Sequence, residues 1–214
     1  MKGLIVKDFR LLLQRKKFFL IMAIWAIAMT FILDDPEFVV GWLIILMSIF
    51  SLSSLSYDEY DNSMPFLMSM PVSPKDYAIE KYIFGLLCGL TGWLYAVILI
   101  IVSSLIKSVP VNLNEILLSS ASYIPIAMFI IAFNLPIELK WGSDKGRTYM
   151  LLIYGIGFLI VMAVSKLIPG STDIGTYLNS IDSLAFSIAA IAAVIIAFIV
   201  SVLLSIRIMN KKEY

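Results

Sequence analysis

The chain alternates between long apolar stretches and short polar interruptions. Six stretches are candidates for membrane-spanning helices, at residues 18–33, 38–55, 82–106, 116–137, 149–168 and 183–206. A spanning helix needs roughly 17–25 apolar residues. The first stretch is short for this, but the lysines before it can extend their side chains to the headgroups. The pattern predicts an all-α membrane protein whose six-span transmembrane domain covers 18–214.

Residues 1–17 have a helical periodicity of their own. Basic and polar side chains recur at steps of three, four and three, and apolar side chains occupy the opposite face. This predicts an amphipathic helix on the membrane surface, the alternative being a basic flank that only sets topology. The polar face holds Lys7, Arg10, Gln14 and Lys17, and the apolar face holds Ile5, Phe9, Leu12 and Leu13.

The longest polar interruption covers residues 56–81, between the second and third stretches. It begins with the acidic side chains Asp58, Glu59 and Asp61 and continues with a short apolar run over 64–70, which contains one proline and is followed by another. An ordered loop with charged and apolar surfaces is suited to protein contact. We expect this loop to dock onto a cytosolic partner that supplies energy.

The end of this interruption carries a helix-start signal. Ser73 can act as an N-cap, Pro74 suits the first helical position, and Asp76 has capping-box spacing. The sequence therefore predicts a small helix, a turn and then the start of the third spanning helix.

Basic residues are concentrated on one side of the predicted bundle. With the N-terminus in the cytosol, fourteen of the sixteen Lys and Arg residues are cytosolic, leaving Lys107 and Lys166 outside. Because positive loops stay inside, both termini and the loops 56–81 and 138–148 are predicted to be cytosolic. The fourteen are Lys2, Lys7, Arg10, Arg15, Lys16, Lys17, Lys75, Lys81, Lys140, Lys145, Arg147, Arg207, Lys211 and Lys212.

The composition agrees with a membrane protein and argues against an enzyme. Hydrophobic residues make up 61% of the chain and charged residues 14%, against roughly 25% charged in a soluble domain. The net charge of +1 argues against a nucleic-acid partner. With no histidine and only Cys88, we expect no catalytic or metal site, and without a phosphate-binding loop motif no nucleotide or other cofactor bound by this chain.

The predicted spans have no charged residue near their centres. This argues against an ion-coupled carrier, because a coupling ion must be bound near the midplane. A pathway would instead be apolar with scattered hydroxyls and one amide, which suits an amphipathic or lipid-like substrate better than an ion. The alternative is that these groups only bond to neighbouring helices. The candidate pathway residues are Thr30, Ser48, Thr91, Ser122 and Asn134.

Small residues form a stripe at spacing four along the last stretch. Such a stripe lets two helices approach closely. It indicates either packing within the chain or a face toward a second copy. The stripe comprises Ala185, Ala189, Ala193, Ala197, Ser201 and Ser205.

The topology and several short motifs resemble the type-2 ABC transporter permeases, the membrane subunits of ATP-binding cassette exporters. In a small bacterial branch, a leucine-proline-valine motif and a lysine-tyrosine pair precede span 3, and Met70 replaces that leucine here. The turn 142–147 resembles the branch's second cytosolic turn. The other motifs are Met1-Lys2-Gly3-Leu4-Ile5-Val6-Lys7-Asp8, Met70-Pro71-Val72-Ser73-Pro74-Lys75 and Glu80-Lys81-Tyr82.

The resemblance implies that ATP binding and the substrate pathway belong to different subunits. A separate ABC ATPase binds ATP and Mg²⁺, and two permease chains, identical or homologous, form the pathway. The N-terminal helix matches the surface elbow helix, and a coupling helix between spans 2 and 3 transmits the ATPase motion. Its contact residues are Asp58, Glu59, Asp61, Met64, Pro65, Phe66, Leu67 and Met68, and a second cytosolic contact comprises Lys140, Asp144, Lys145 and Arg147.

Within the branch, the chain is most similar to exporters of phenol-soluble modulins and antimicrobial peptides. The resemblance thus implies a permease in the bacterial cytoplasmic membrane that exports a cytolytic or antimicrobial peptide. Two alternatives stay open at this point. One is a scaffold or immunity protein that binds a peptide without transporting it, and the other is a self-contained secondary carrier.

Overall fold

A computed structural model describes residues 2–33, 37–60, 63–108, 112–167 and 183–212. Over these ranges the chain forms nine helices and no strand. The helices are α1 (Lys2–Leu13), α2 (Lys16–Ile32), α3 (Glu37–Glu59), α4 (Ser63–Ser69), α5 (Pro74–Ile106), α6 (Leu113–Ala121), α7 (Ile124–Trp141), α8 (Ser143–Leu167) and α9 (Ser183–Lys211).

Four segments of the described chain are long and apolar enough to cross a membrane. They are Glu37–Glu59, Pro74–Ile106, Leu113–Trp141 and Ser187–Lys211. They correspond to predicted spans 2, 3, 4 and 6. Helices α2 and α8, which occupy the positions of spans 1 and 5, are not among the four. The all-helical membrane architecture is thus confirmed, and the count of six spans stays a prediction.

The helices continue through most of what the sequence pattern assigned to loops. Helix α3 extends to Glu59, and α5 begins at Pro74, so only 60–73 lies between them. Helices α7 and α8 are separated by Gly142 alone. The small helix α4 and the start of α5 thus lie inside the predicted loop 56–81, and the junction of α7 and α8 lies inside the predicted loop 138–148.

Helix α5 is the central element of the bundle. Its 33 residues give it a length of roughly 50 Å at 1.5 Å per residue. It starts as predicted, because the Ser73 hydroxyl accepts a hydrogen bond from the Asp76 backbone N–H at 3.0 Å and Pro74 follows the cap. It packs against α3 and α7. A Cβ at Gly92 would lie 2.9 Å from the Leu43 carbonyl oxygen, so this close approach requires glycine.

The stripe of small residues on α9 divides into two parts. The Tyr82 hydroxyl hydrogen-bonds Ser201 Oγ at 2.5 Å and Ser205 Oγ at 2.8 Å, so this half packs within the chain. Ala189, Ala193 and Ala197 are exposed. Packing within the chain therefore explains Ser201 and Ser205 and leaves these three alanines on the surface, while the side chain of Ala185 lies outside the described residues.

Both terminal helices meet at one end of the bundle, which we call the proximal end. Residues of α1, α3, α4, α5, α7 and α9 form one buried apolar cluster there: Leu4, Leu55, Met64, Leu67, Tyr77, Ala78, Leu139 and Met209. At the opposite, distal end, the Lys107 ammonium donates to the Thr30 carbonyl at 3.3 Å and the Tyr123 hydroxyl donates to Glu37 at 3.3 Å.

Candidate functional site

Four charged side chains, three of them buried, are joined in an ion cluster at the proximal end, which comprises Lys7, Asp8, Asp58 and Lys81. The Lys81 ammonium lies 2.5 Å from Asp8 Oδ2 and 2.7 Å from Asp58 Oδ2, with its side chain 2% exposed. Lys7 pairs with Asp58 Oδ1 and lies 3.2 Å from Asp8 Oδ1. The Tyr77 hydroxyl donates to Asp58 at 3.0 Å. A third buried carboxylate, Glu80, lies 3.9 Å from the Lys81 ammonium at the edge of this cluster, and the four joined side chains fix α1 to α3 and α5.

This cluster changes the interpretation of Asp58. The family resemblance implies that Asp58 lies on a surface that contacts an ATPase, but its side chain is 4% exposed and is engaged by Lys7 and Lys81. It stabilises the base of the loop from inside. Lys7, expected on the solvent face of the N-terminal helix, is 31% exposed, and the buried face of α1 consists of Leu4, Asp8 and Leu12.

Glu59 has a different internal role. Its Oε2 accepts a hydrogen bond at 2.5 Å from the Ser143 backbone N–H, the first residue of α8. A carboxylate at a helix N-terminus satisfies a free donor and complements the helix dipole. Gly142 has a φ of +79° and a ψ of 164°, and a Cβ there would lie 3.2 Å from the Glu59 carboxylate. The α7–α8 turn is therefore fixed to the end of α3.

Helix α4 divides the predicted apolar contact residues between two faces. Met64 and Leu67 are 7% and 8% exposed and pack into the proximal apolar cluster. Phe66 is 68% exposed, Pro65 is exposed and Met68 is half-buried. The small helix is thus anchored by one face and presents an aromatic side chain on the other. Asp61, also predicted as a contact residue, lies outside the described residues.

The second predicted contact lies beside the α7–α8 turn, on the surface. Lys140, Asp144, Lys145 and Arg147 are all exposed. The Lys140 ammonium lies 4.4 Å from the centre of the Trp141 ring, and Arg147 Nη2 donates to Ser56 Oγ at 2.9 Å. These four residues therefore share the proximal end with α4.

The five candidate pathway residues do not converge. Thr30 and Ser48 are buried, and the Thr30 hydroxyl donates to the Ala26 carbonyl. Thr91 and Ser122 are exposed, and their hydroxyls donate to carbonyls of their own helical turn, those of Cys88 and Ser119. Of the five, Asn134 alone lines the larger cavity described next.

A cavity of about 590 Å³ lies between α3, α7 and α8, toward the proximal end. We call it the Glu138 cavity, after the carboxylate in its wall. Its polar lining also includes Ser53, Asn134, Arg147 and Tyr154. The Asn134 carbonyl accepts a hydrogen bond from the Tyr154 hydroxyl at 3.1 Å. Its apolar wall is formed by Ile49, Phe50, Leu52, Ile130, Met150 and Leu151.

A smaller cavity of about 410 Å³ shares Phe50, Ser53 and Arg147 with the Glu138 cavity. Its lining adds Arg15, and Arg15 Nε donates to the Tyr57 hydroxyl at 2.5 Å. The two cavities together bring an apolar wall and several charged groups to one side of the bundle.

Sequence reasoning missed Asp8 and Glu138 as site residues, although periodicity offered a signal for each. Asp8 lies midway between Leu4 and Leu12 at spacing four, on the face that is buried. Glu138 follows Ile131 and Leu135 at steps of four and three, and all three are buried. A charge in an apolar helical stripe indicates a buried ionic group, even where it lies close to a helix end.

Comparison with known proteins identifies the family. Searches of curated proteins and of solved structures each returned no match. A family model described as "ABC-2 family transporter protein" matches residues 3–210, almost the whole chain. The chain belongs to this family of ABC transporter membrane proteins.

Proposed function

We propose that this chain is the permease subunit of an ATP-driven exporter in the bacterial cytoplasmic membrane. Family membership makes it an integral membrane protein and implies an ABC ATPase partner. With a second permease chain, identical or homologous, it forms the pathway for an amphipathic substrate, a cytolytic or antimicrobial peptide. ATP and Mg²⁺ are held by the ATPase. The observation that carries the proposal is the exposed Phe66 on an anchored helix, in a chain of this family.

We further propose six spans, with α2 and α8 as spans 1 and 5. Helix α2 has 17 residues and exposes apolar side chains, including Leu20, Ile21 and Ile24. Every residue from Leu151 to Ile160 of α8 is exposed, and all but Tyr154 and two glycines are strongly apolar. Such surfaces require lipid or a second chain around them. In this arrangement α1 lies at the membrane surface and both termini are cytosolic.

Helix α4 is the proposed coupling helix. Its buried Met64 and Leu67 anchor it to α1, α3, α5, α7 and α9, so a force applied to the exposed Phe66 is transmitted to the bundle core. Aromatic side chains that fill a partner's pocket dominate many interfaces. The exposed Asp144, Lys145 and Arg147 at the start of α8 provide the second contact.

The test is purification of the tagged chain from its native membrane in mild detergent. We expect an ABC ATPase to co-purify in stoichiometric amount, and its ATP hydrolysis to rise when an amphipathic peptide is added. A chain that is purified alone, with no ATP hydrolysis, would contradict the proposal. Transport in vesicles that hold only this chain, driven by an ion gradient, would favour a secondary carrier instead.

Phe66→Asp tests the docking role of α4. A central aromatic contact is worth about 2 kcal/mol or more, so we expect recovery of the ATPase to fall about tenfold or more. Leu113→Asp is the matched control, since Leu113 is 53% exposed and lies at a helix start at the distal end. Membrane yield should be equal for both variants. Unchanged ATPase recovery with Phe66→Asp would remove α4 from the interface.

A further inference from the structure

The Glu138 cavity contains a buried carboxylate that no neighbouring cation neutralises at close range. Glu138 is 3% exposed, and its Oε2 has no hydrogen-bond partner. Among the described residues, the ion pairs within 4.0 Å all belong to the group around Lys7 and Lys81 at the α1–α5 contact, and none involves Glu138. An isolated buried carboxylate is costly to keep charged. A ligand that supplied a cation would remove this cost.

The other polar groups of the cavity are engaged with one another or lie at its rim. Asn134 Nδ2 donates to the Ile130 carbonyl, and Asn134 Oδ1 accepts from Tyr154. Arg147 is exposed and donates to Ser56. Among the residues that line this cavity, Glu138 is therefore the buried ionic side chain.

We propose that the Glu138 cavity binds the cationic group of an amphiphile, with the Glu138 carboxylate as its counter-ion. An ammonium or guanidinium group supplies charge-assisted hydrogen bonds to the carboxylate. The alkyl or side-chain portion of the same molecule lies against Ile49, Ile130 and Leu151. Burial of this apolar portion contributes roughly 25 cal/mol for each Å² removed from water.

Charge decides between a cationic and an anionic occupant. An anionic head group would meet its partner, Arg147, at the exposed rim, where solvent and salt weaken the attraction. Within the cavity it would meet the buried Glu138 carboxyl group, which offers an anion no opposite charge. A cationic head group gains its stronger contact where the dielectric is low. This inference rests on the proposed function for its biological meaning, because it assigns cationic amphipathic peptides as the substrate class.

The experiment measures protection of a cavity cysteine. Ser53 lines the cavity and is half-buried, so a Ser53→Cys, Cys88→Ser chain is reconstituted in phosphatidylcholine nanodiscs and alkylated with monobromobimane. The probes are dodecylamine and dodecanol, compared at equal membrane mole fraction. We expect dodecylamine to slow alkylation of the Ser53→Cys thiol at a concentration about tenfold below that of dodecanol, the ratio expected for one charge-assisted contact.

Two substitutions in this background give the experiment its control. Glu138→Gln should abolish the preference for the amine. Asp144→Asn removes the same charge from an exposed position at the start of α8 and should leave the preference intact. Arg147→Gln should strengthen the preference, because it removes the nearby positive charge. Equal protection by amine and alcohol, or no protection by either, would overturn the proposal, as would a preference that survives Glu138→Gln.

The cysteine-protection experiment needs no ATPase, so it tests the cation site separately from the proposed exporter function. Protection by the amine without a co-purifying ATPase would contradict the proposed exporter and leave the cation site standing. A co-purifying, peptide-stimulated ATPase without amine protection would support the exporter and overturn the cation site. Dodecyl sulfate, as a third probe, should protect less than dodecanol, and stronger protection by it would overturn the cationic assignment.

Discussion

The proximal end contains two sets of buried charges that are stabilised in opposite ways. In the ion cluster, Lys7 and Lys81 lie between Asp8 and Asp58, and every one of the four has an opposite charge within 3.2 Å. In the Glu138 cavity, Glu138 is 3% exposed and is part of the wall of an open volume of about 590 Å³. One arrangement is complete without a ligand, and the other is completed by one.

This difference separates residues that stabilise the folded state from residues that are available to bind a ligand. Replacing a partner of a compensated buried pair leaves the other charge unpaired, so the folded state is weakened. Replacing an uncompensated buried charge removes a cost from the folded state. Substitutions in the ion cluster should therefore lower the stability of the folded state. Substitution of Glu138 should weaken ligand binding without lowering that stability.

Lys81→Met should give the largest effect. It leaves Asp8 and Asp58 buried with Lys7 as their remaining cation, and the loss of one partner from a buried pair costs about 3–5 kcal/mol. We expect a strongly reduced folded fraction and a lower melting temperature, measured by fluorescence-detected size exclusion after heating. Lys75→Met, at an exposed site in the first turn of the same helix, is the control. Equal melting of the two variants would contradict the structural role of the cluster.

Gly142→Ala should give an intermediate effect, at the α7–α8 turn that Glu59 fixes to the end of α3. The φ of Gly142 is +79°, and a Cβ added there would lie 3.2 Å from the Glu59 carboxylate. Both features oppose a side chain, at a cost of about 1–3 kcal/mol. The same heating assay measures it. Gly3→Ala is the control, since a Cβ there has no atom within 4 Å. If both variants melt alike, the strain at this turn is not significant.

Glu138→Gln should give the smallest change in stability and the opposite sign. Removal of a buried carboxylate without an ion-pair partner is expected to leave the melting temperature equal or to raise it, by less than about 1 kcal/mol in stability. Asp58→Asn makes the same chemical change within the ion cluster and should lower the melting temperature. A destabilisation by Glu138→Gln as large as that by Asp58→Asn would end the distinction between the two regions.

The sequence predicted the local features well because their causes are local. The Ser73 cap, the short helix before it and the long helix after it depend on residues within a few positions, and all three are present. Apolar length likewise predicted the four segments that are long enough to span a membrane.

The ion cluster could not be predicted in the same way, because its partners are distant in sequence. Lys7 and Asp58 are 51 residues apart, and Asp8 and Lys81 are 73 apart. Periodicity can indicate that Asp8 is buried, but it does not identify the partner of Asp8 until the neighbouring helices are placed. The Glu138 cavity could not be predicted for the same reason. Its walls come from three helices, and its carboxylate falls in a predicted loop.

The pairing of Asp8 with Lys81 also sets an order of events during synthesis. At about 5–20 residues per second, the ribosome needs roughly 4–15 s to make the 73 residues that separate them. Throughout that interval Asp8 lacks the ammonium group of Lys81, its shortest ion-pair contact, while α2 and α3 are already being made. Only after Lys81 has emerged can the first helix dock, which makes its attachment a late step in assembly.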